Sequence, residues 1–312
     1  MSRYDAVLLL SFGGPEKNED VIPFLENVLR GRNVPRERML EVAEHYYHFN
    51  GRSPLNQQCR DLIEALKQHV DLPVYWGNRN WHPMLADTVR QMKNDGVKRA
   101  VAIATSAFGS YSGCRQYQED IDKARAAVEG APEIDKIPPF WNHEGFIAAM
   151  ADRVHDALLN LPGAGVVYTA HSVPVAMAAA SPYVEQLQAA AAKVNERLGL
   201  GEVVFAYQSR SGPPTQPWLE PDIGDFIRSY GAWKLIVVPI GFLSDHMEVL
   251  YDLDHEAAGI AKQRDIEFVR AATVGTHPLF VAGLADLVRR AQEHGVTACR
   301  PDCCKPAVRP GR

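Results

Sequence analysis

The sequence predicts an α/β protein made of two doubly wound domains on parallel sheets. Short apolar runs alternate with helix-length amphipathic stretches, the rhythm of βα units. The second half repeats that rhythm, and 312 residues exceed what one compact core usually needs. In order, a strand is expected over 6–12, ending in the turn Ser11-Phe12-Gly13-Gly14-Pro15, and a helix follows over 18–29. Strands over 73–77 and 99–105 flank a helix over 85–95. The second half gives a strand over 165–170, a helix over 182–198 and a strand over 203–208. A helix over 222–230, a strand over 235–240 and a helix over 245–264 complete it. The halves echo each other in architecture but share no fixed-period repeat. The proline-rich stretch over 131–139 is the expected boundary. It separates domains over 1–139 and 140–297, with a cysteine-rich tail over 298–312.

Composition narrows the function. Hydrophobic residues make up 46% and charged residues 23%, and the net charge is −5, as in an ordinary globular protein. No Lys/Arg tract stands out, so nucleic acid is not an expected partner. The apolar start is short, lacks a small-residue cleavage site and runs into a turn, unlike a signal peptide. Nowhere do about 18 apolar residues run uninterrupted, so no membrane span is expected. The expectation is a cytoplasmic chain, and a monomer. Five cysteines without a secretory signal argue against a disulfide framework.

Two phrases carry chemistry. Thr169-Ala170-His171-Ser172-Val173-Pro174 and Leu243-Ser244-Asp245-His246-Met247-Glu248 each follow an apolar strand-like run. Ligands of open α/β sheets bind beyond the carboxyl ends of strands, so both phrases are expected to face one cleft. An imidazole opposite a carboxylate can take protons and hold a divalent metal. The plainer alternatives are a strand-end histidine bonded to a carbonyl, and an Asp245/Glu248 helix cap. Glu248, Asp252, His255 and Glu256 fall on one face of an expected α-helix, either a solvated face or a path for a hydrated cation. The Gly13-Gly14 turn matches neither nucleotide-binding glycine pattern. It is either a turn needing positive φ or a place where backbone approaches a flat ligand. Arg30-Gly31-Arg32 and Gly51-Arg52-Ser53-Pro54 set guanidinium groups beside small residues, suited to carboxylates. Tyr111, Tyr117 and Trp141 are candidate aromatic walls. Cys299, Cys303 and Cys304, with Cys114 as a fourth thiol, suit either zinc or an iron–sulfur cluster. The adjacent Cys303-Cys304 pair is awkward for zinc, which favours 2Fe–2S.

Together these phrases resemble the ferrochelatase family. The resemblance rests on 10–15, 51–55, 169–174, Tyr207-Gln208-Ser209, 217–222 and 241–248, and runs from the first strand almost to the end. It implies two similar α/β domains with a porphyrin cleft between them. It implies His171 and Glu248 as the Fe2+-binding and proton-transfer pair, and Asp252 and Glu256 as a ridge for a second cation. It also implies porphyrin contacts at Phe12, Arg30, Ser53 and Tyr117. The phrase 111–117 and the tail cysteines resemble the actinobacterial branch. That implies coproporphyrin III as substrate and a 2Fe–2S cluster on Cys114, Cys299, Cys303 and Cys304. Protoporphyrin IX is the alternative substrate; a cobaltochelatase or a porphyrin carrier is a more distant reading. Phe12 departs from the Tyr found there in some Gram-positive relatives, and a phenyl ring cannot ligate iron.

Overall fold

The computed structural model describes residues 3–31, 34–212, 215–300 and 302–306. Arg32 lies outside these residues. Strands β1 (Ala6–Ser11), β2 (Val74–Asn78), β3 (Arg99–Ala104) and β4 (Glu133–Lys136) form one parallel sheet in the order β2-β1-β3-β4. Strands β5 (Gly165–His171), β6 (Phe205–Gln208), β7 (Lys234–Val238) and β8 (Glu267–Arg270) form a second, in the order β6-β5-β7-β8. The two orders are the same, so the echo between the halves is topological.

Every residue of β1 is buried, because helices cover both faces of a parallel sheet and leave no solvated side to alternate toward. Burying each of its three leucines contributes about 2 kcal/mol. The first half also carries helices α1 (Asn18–Leu29), α2 (Arg36–Tyr47), α3 (Leu55–Lys67), α4 (Leu85–Asn94) and α5 (Gln116–Ala126). The π-helical segment Tyr111–Arg115 runs into α5. After α6 (Glu144–Asn160) come α7 (Val175–Ala179), α8 (Tyr183–Leu198) and α9 (Ile223–Ser229). Helix α10 (Met247–Val249) passes through the π-helical segment Leu250–Ala257 into α11 (Ala258–Gln263), and α12 (Pro278–His294) follows β8.

Expected strands fall within one or two residues of those observed, and the helix over 18–29 is α1. The proline-rich stretch is more than a connection, since β4 lies inside it. Helices α2, α3, α5, α6, α7 and α12 and edge strands β4 and β8 carried no reading from the sequence. Helix α12 packs on both α6 and α3, so the C-terminal helix reaches back to the first half. There the Gln292 side chain accepts from the Arg3 and Tyr4 N–H groups and donates to the Tyr4 carbonyl.

Candidate functional site

His171 is the last residue of β5, and Glu248 sits in the short helix that follows β7. The carboxyl ends of adjacent parallel strands thus bring them together, with His171 Nε2 3.7 Å from Glu248 Oε2. Their side chains are 32% and 50% exposed, open to a ligand. His171 Nδ1 lies 2.5 Å from the Ser172 carbonyl, which can only accept, so Nδ1 carries a proton and, in the neutral ring, the lone pair falls on Nε2. The plain alternative for His171, a bond to a backbone carbonyl, is therefore present, and it fixes the tautomer instead of competing with a role.

The helix cap differs from expectation. His246, in extended conformation, is the cap, and its Nδ1 accepts from the Glu248 N–H at 3.2 Å. The Asp245 carboxylate goes instead to Arg270 at 2.8 Å, because Arg270 grips Asp254 at the same time. Burial pushes the His246 imidazole pKa down, while Glu248 opposes that shift.

The single acidic face also divides, because Leu250–Ala257 is π-helical and its wider turn rotates the positions apart. Asp252 accepts from the Ser209 hydroxyl and from Gln208 Nε2. Burial pushes its pKa up to about 7, helped by the Glu248 and Glu256 charges and opposed by the two hydrogen bonds. Glu256 is raised too, chiefly by burial. His255 turns toward α2, its ring centroid 4.4 Å from that of His48. Beside it, His45 stacks on Tyr251 at 3.8 Å.

The first half presents an aromatic wall to this pair. Phe12, just past β1 and 37% exposed, meets Phe24 edge-on at 6.2 Å, and Phe24 meets Tyr46 at 5.7 Å. Burial raises the Tyr46 phenol pKa, and the Glu248 and Asp252 charges add to it; the helix that carries Tyr46 meets the second half where His45 stacks on Tyr251. Gly13 has φ +82°, which a residue with Cβ rarely adopts. At Gly14 a Cβ would stand 2.8 Å from the Ser53 Cβ, so the backbone closes directly over buried Ser53. Both readings of the glycine pair hold in part: one glycine turns the chain, and the other permits a close approach.

Tyr117 is buried beneath Arg79, whose guanidinium carbon lies 4.0 Å from the ring centre. Arg79 Nε pairs with Asp120 at 2.5 Å, yet its buried Nη2 has no hydrogen-bond partner among the described residues. Arg30 is exposed at the end of α1 and reaches Asn27 Oδ1; Asn27 bonds to Asn80, and Asn80 to the Phe12 carbonyl. Arg30 therefore sits on the rim of the same wall. Sequence reasoning missed Arg79, an isolated cation in no motif. It also missed Tyr46, whose helix it did not foresee.

The family profile described as Ferrochelatase matches residues 4–292. The chain belongs to the ferrochelatase family. It is thus a metal-insertion enzyme of that family, in accord with the resemblance. A ferrochelatase of Rhodopirellula baltica is 51% identical, covering 99% of this chain and 97% of the relative. A coproporphyrin III ferrochelatase of Nocardia farcinica is 46% identical over 98% of each chain. Another, of Mycolicibacterium smegmatis, is 49% identical over 91% of this chain and 89% of its own. Among solved structures, the sirohydrochlorin chelatase SirB of Bacillus subtilis has a TM-score of 0.58 at 15% identity, covering 92% of this chain and 95% of that one. At that identity the likeness concerns fold alone.

The four cysteines of this ferrochelatase that were singled out from sequence also come together. Cys114, on the π-helical segment Tyr111–Arg115, takes hydrogen bonds from the Cys299 and Cys304 thiols, and Cys303 adjoins both of those. Those bonds and the Lys136 ammonium, 3.3 Å from Cys114 Sγ, push the Cys114 thiol pKa far down. Its two partners are pushed up, chiefly by the same bonds. Among the described residues no three His, Cys, Asp or Glu side chains converge as a site for one metal ion. None of their helices is long and apolar enough to cross a membrane.

Proposed function

We propose that this protein inserts Fe(II) into coproporphyrin III, releasing two protons. The observation that carries the reading is His171 Nε2 facing the Glu248 carboxylate at 3.7 Å, on an open face. Insertion needs two acceptors, since both pyrrole N–H protons leave as the metal enters. His171 Nε2 takes one proton, and Glu248 takes the other or holds the incoming iron. The neutral tautomer suits the first task, because Ser172 already occupies Nδ1–H.

The macrocycle would lie on the apolar surface of Phe12, with Tyr117 and Ser53 behind the same wall. The cavity behind Ser172, about 180 Å³ and lined by Glu220, Asp222 and Asp225, is too small and too acidic for it. A porphyrin carboxylate would satisfy the unpartnered Arg79 Nη2, and Arg30 would meet a second carboxylate at the rim. Two anchors suit the dicarboxylate protoporphyrin as well as the tetracarboxylate coproporphyrin, so the choice of coproporphyrin III rests on the relatives. The naming of the actinobacterial relatives supports the same substrate. Distorting the bound ring toward Nε2 is the work of these remote contacts.

Asp252 and Glu256 form the cation path. The buried Gln208 Oε1, unpartnered among the described residues, adds an acceptor beside Asp252. A cation arriving there displaces the proton that Asp252 holds up to about pH 7.

The thiols fit a 2Fe–2S cluster on Cys114, Cys299, Cys303 and Cys304. Such a cluster divides its ligands two and two between its irons, so it would need all four of these thiols. The Lys136 ammonium offsets the thiolate charge. When bound, the cluster supplies a one-electron centre that metal insertion does not consume, so its role is structural or sensory. The chain acts as a cytoplasmic monomer: one chain supplies both faces of the site, and free thiols suit a reducing compartment.

Anaerobic insertion of Fe(II), followed by loss of the free-base spectrum, tests the substrate. Higher kcat/KM with coproporphyrin III than with protoporphyrin IX is expected. The reverse preference overturns the choice of substrate, and tight binding without turnover overturns the enzymatic reading.

A further inference from the structure

One residue grips the loop that carries Glu248 without belonging to the porphyrin or metal groups. Gln58 stands in the first turn of α3, in the first domain. Its Nε2 donates to the Asp245 carbonyl at 3.2 Å, and its Oε1 accepts from the Asp245 N–H at 2.8 Å. A primary amide that engages both groups of one residue reproduces a rung of a β ladder between the domains. One hydrogen bond leaves the loop free to swivel; two fix its position and its rotation.

The grip leads directly to the reacting pair. Arg270 holds the Asp245 carboxylate and ties it to Asp254 on the π-helical segment. The next residue, His246, caps the helix at the Glu248 N–H. Glu248 then faces His171. Just before Gln58, α3 begins beside Ser53, the residue buried under Gly14 in the porphyrin wall. A single helix therefore touches the porphyrin wall at its start and the metal-side loop one turn later.

We propose that Gln58 is a positioning residue for metal insertion, an interdomain amide latch that sets Glu248 at a fixed distance from the porphyrin wall. The role rests on the iron-insertion reading above. Its chemistry requires a neutral donor–acceptor. A carboxylate at 58 would accept from the Asp245 N–H but turn its second oxygen on the Asp245 carbonyl, and an alkyl chain would offer neither bond.

The test compares the full-length wild type with Gln58→Leu and Gln58→Glu. It measures hydrogen exchange over residues 243–249, coproporphyrin Kd by fluorescence quenching, and kcat for anaerobic Fe(II) insertion. In Gln58→Leu, faster exchange of the Asp245 amide is expected, with kcat lower by about tenfold or more and porphyrin Kd unchanged. Gln58→Glu is expected to show the same split, and it carries the comparison if the leucine variant does not fold. A purely structural role would lower the folded fraction and leave kcat per folded molecule intact; that result overturns the latch. Unchanged exchange at Asp245 overturns it as well. Failure of the wild type to insert iron sinks the functional reading itself. Insertion by the wild type with kcat undiminished in both variants sinks the latch alone.

Discussion

Gly14 has room for a hydrogen and nothing larger, since a Cβ would come within 2.9 Å of the Ser53 hydroxyl and closer still to its Cβ. Gly14→Ala should therefore displace Ser53, lower stability by about 1–3 kcal/mol in urea unfolding, and weaken porphyrin binding. Unchanged stability and affinity would show that Ser53 is not held by this contact. On the proposed cluster reading, Cys303→Ser should give colourless protein, because it removes one of the four thiols that reading requires. Brown protein with the wild-type visible spectrum would exclude Cys303 as a ligand. At this scale the sequence was most legible where residue type is chemically restrictive: the two phrases do set His171 beside Glu248. Arg79, Lys136 and Gln58 were illegible, because each acts through one partner brought close only by folding.

At the scale of elements, the segment after β7 departs most from its sequence reading. A helix was legible there from its periodicity, but periodicity does not register one turn wound wider than its neighbours. The π-helical stretch sends Asp252 to Ser209 and Gln208 and His255 to α2. The folded pKa of Asp252, about 7, stands above its ordinary 3.8, so the folded state binds that proton more tightly than the unfolded chain does. Its contribution is then fully present below the ordinary value and is lost as pH rises toward the folded value. Asp252→Asn removes this loss. The variant should gain stability relative to wild type between about pH 4 and pH 8, by roughly 1–4 kcal/mol at the upper end. A stability difference independent of pH would mean that Asp252 ionises normally. Helix α2 escaped notice for another reason: it buries only Met39 and Ala43, a weak apolar stripe, whereas α3 buries Leu55, Cys59, Leu62, Ile63 and Leu66 at helical spacing and was legible though not read.

For the whole molecule, the alternation of strands and helices sufficed to reveal two parallel-sheet halves, and the shared strand order vindicates the architectural echo. The return of α12 to the N-terminus was not legible, because its anchor is one amide side chain 288 residues from its partner. Gln292→Leu, which deletes the bonds to Arg3 and Tyr4, should lower unfolding stability by about 1–3 kcal/mol and leave insertion kinetics unchanged. Equal stability would mean that water replaces those bonds at no cost. In the proposed function each half supplies one side of the reaction, the first a wall for the macrocycle and the second the proton acceptors. The most direct test of that division is His171→Ala, assayed for coproporphyrin binding and for anaerobic Fe(II) insertion. Near-normal porphyrin affinity is expected, with insertion slowed by about a hundredfold or more. Full insertion activity in that variant would contradict the account.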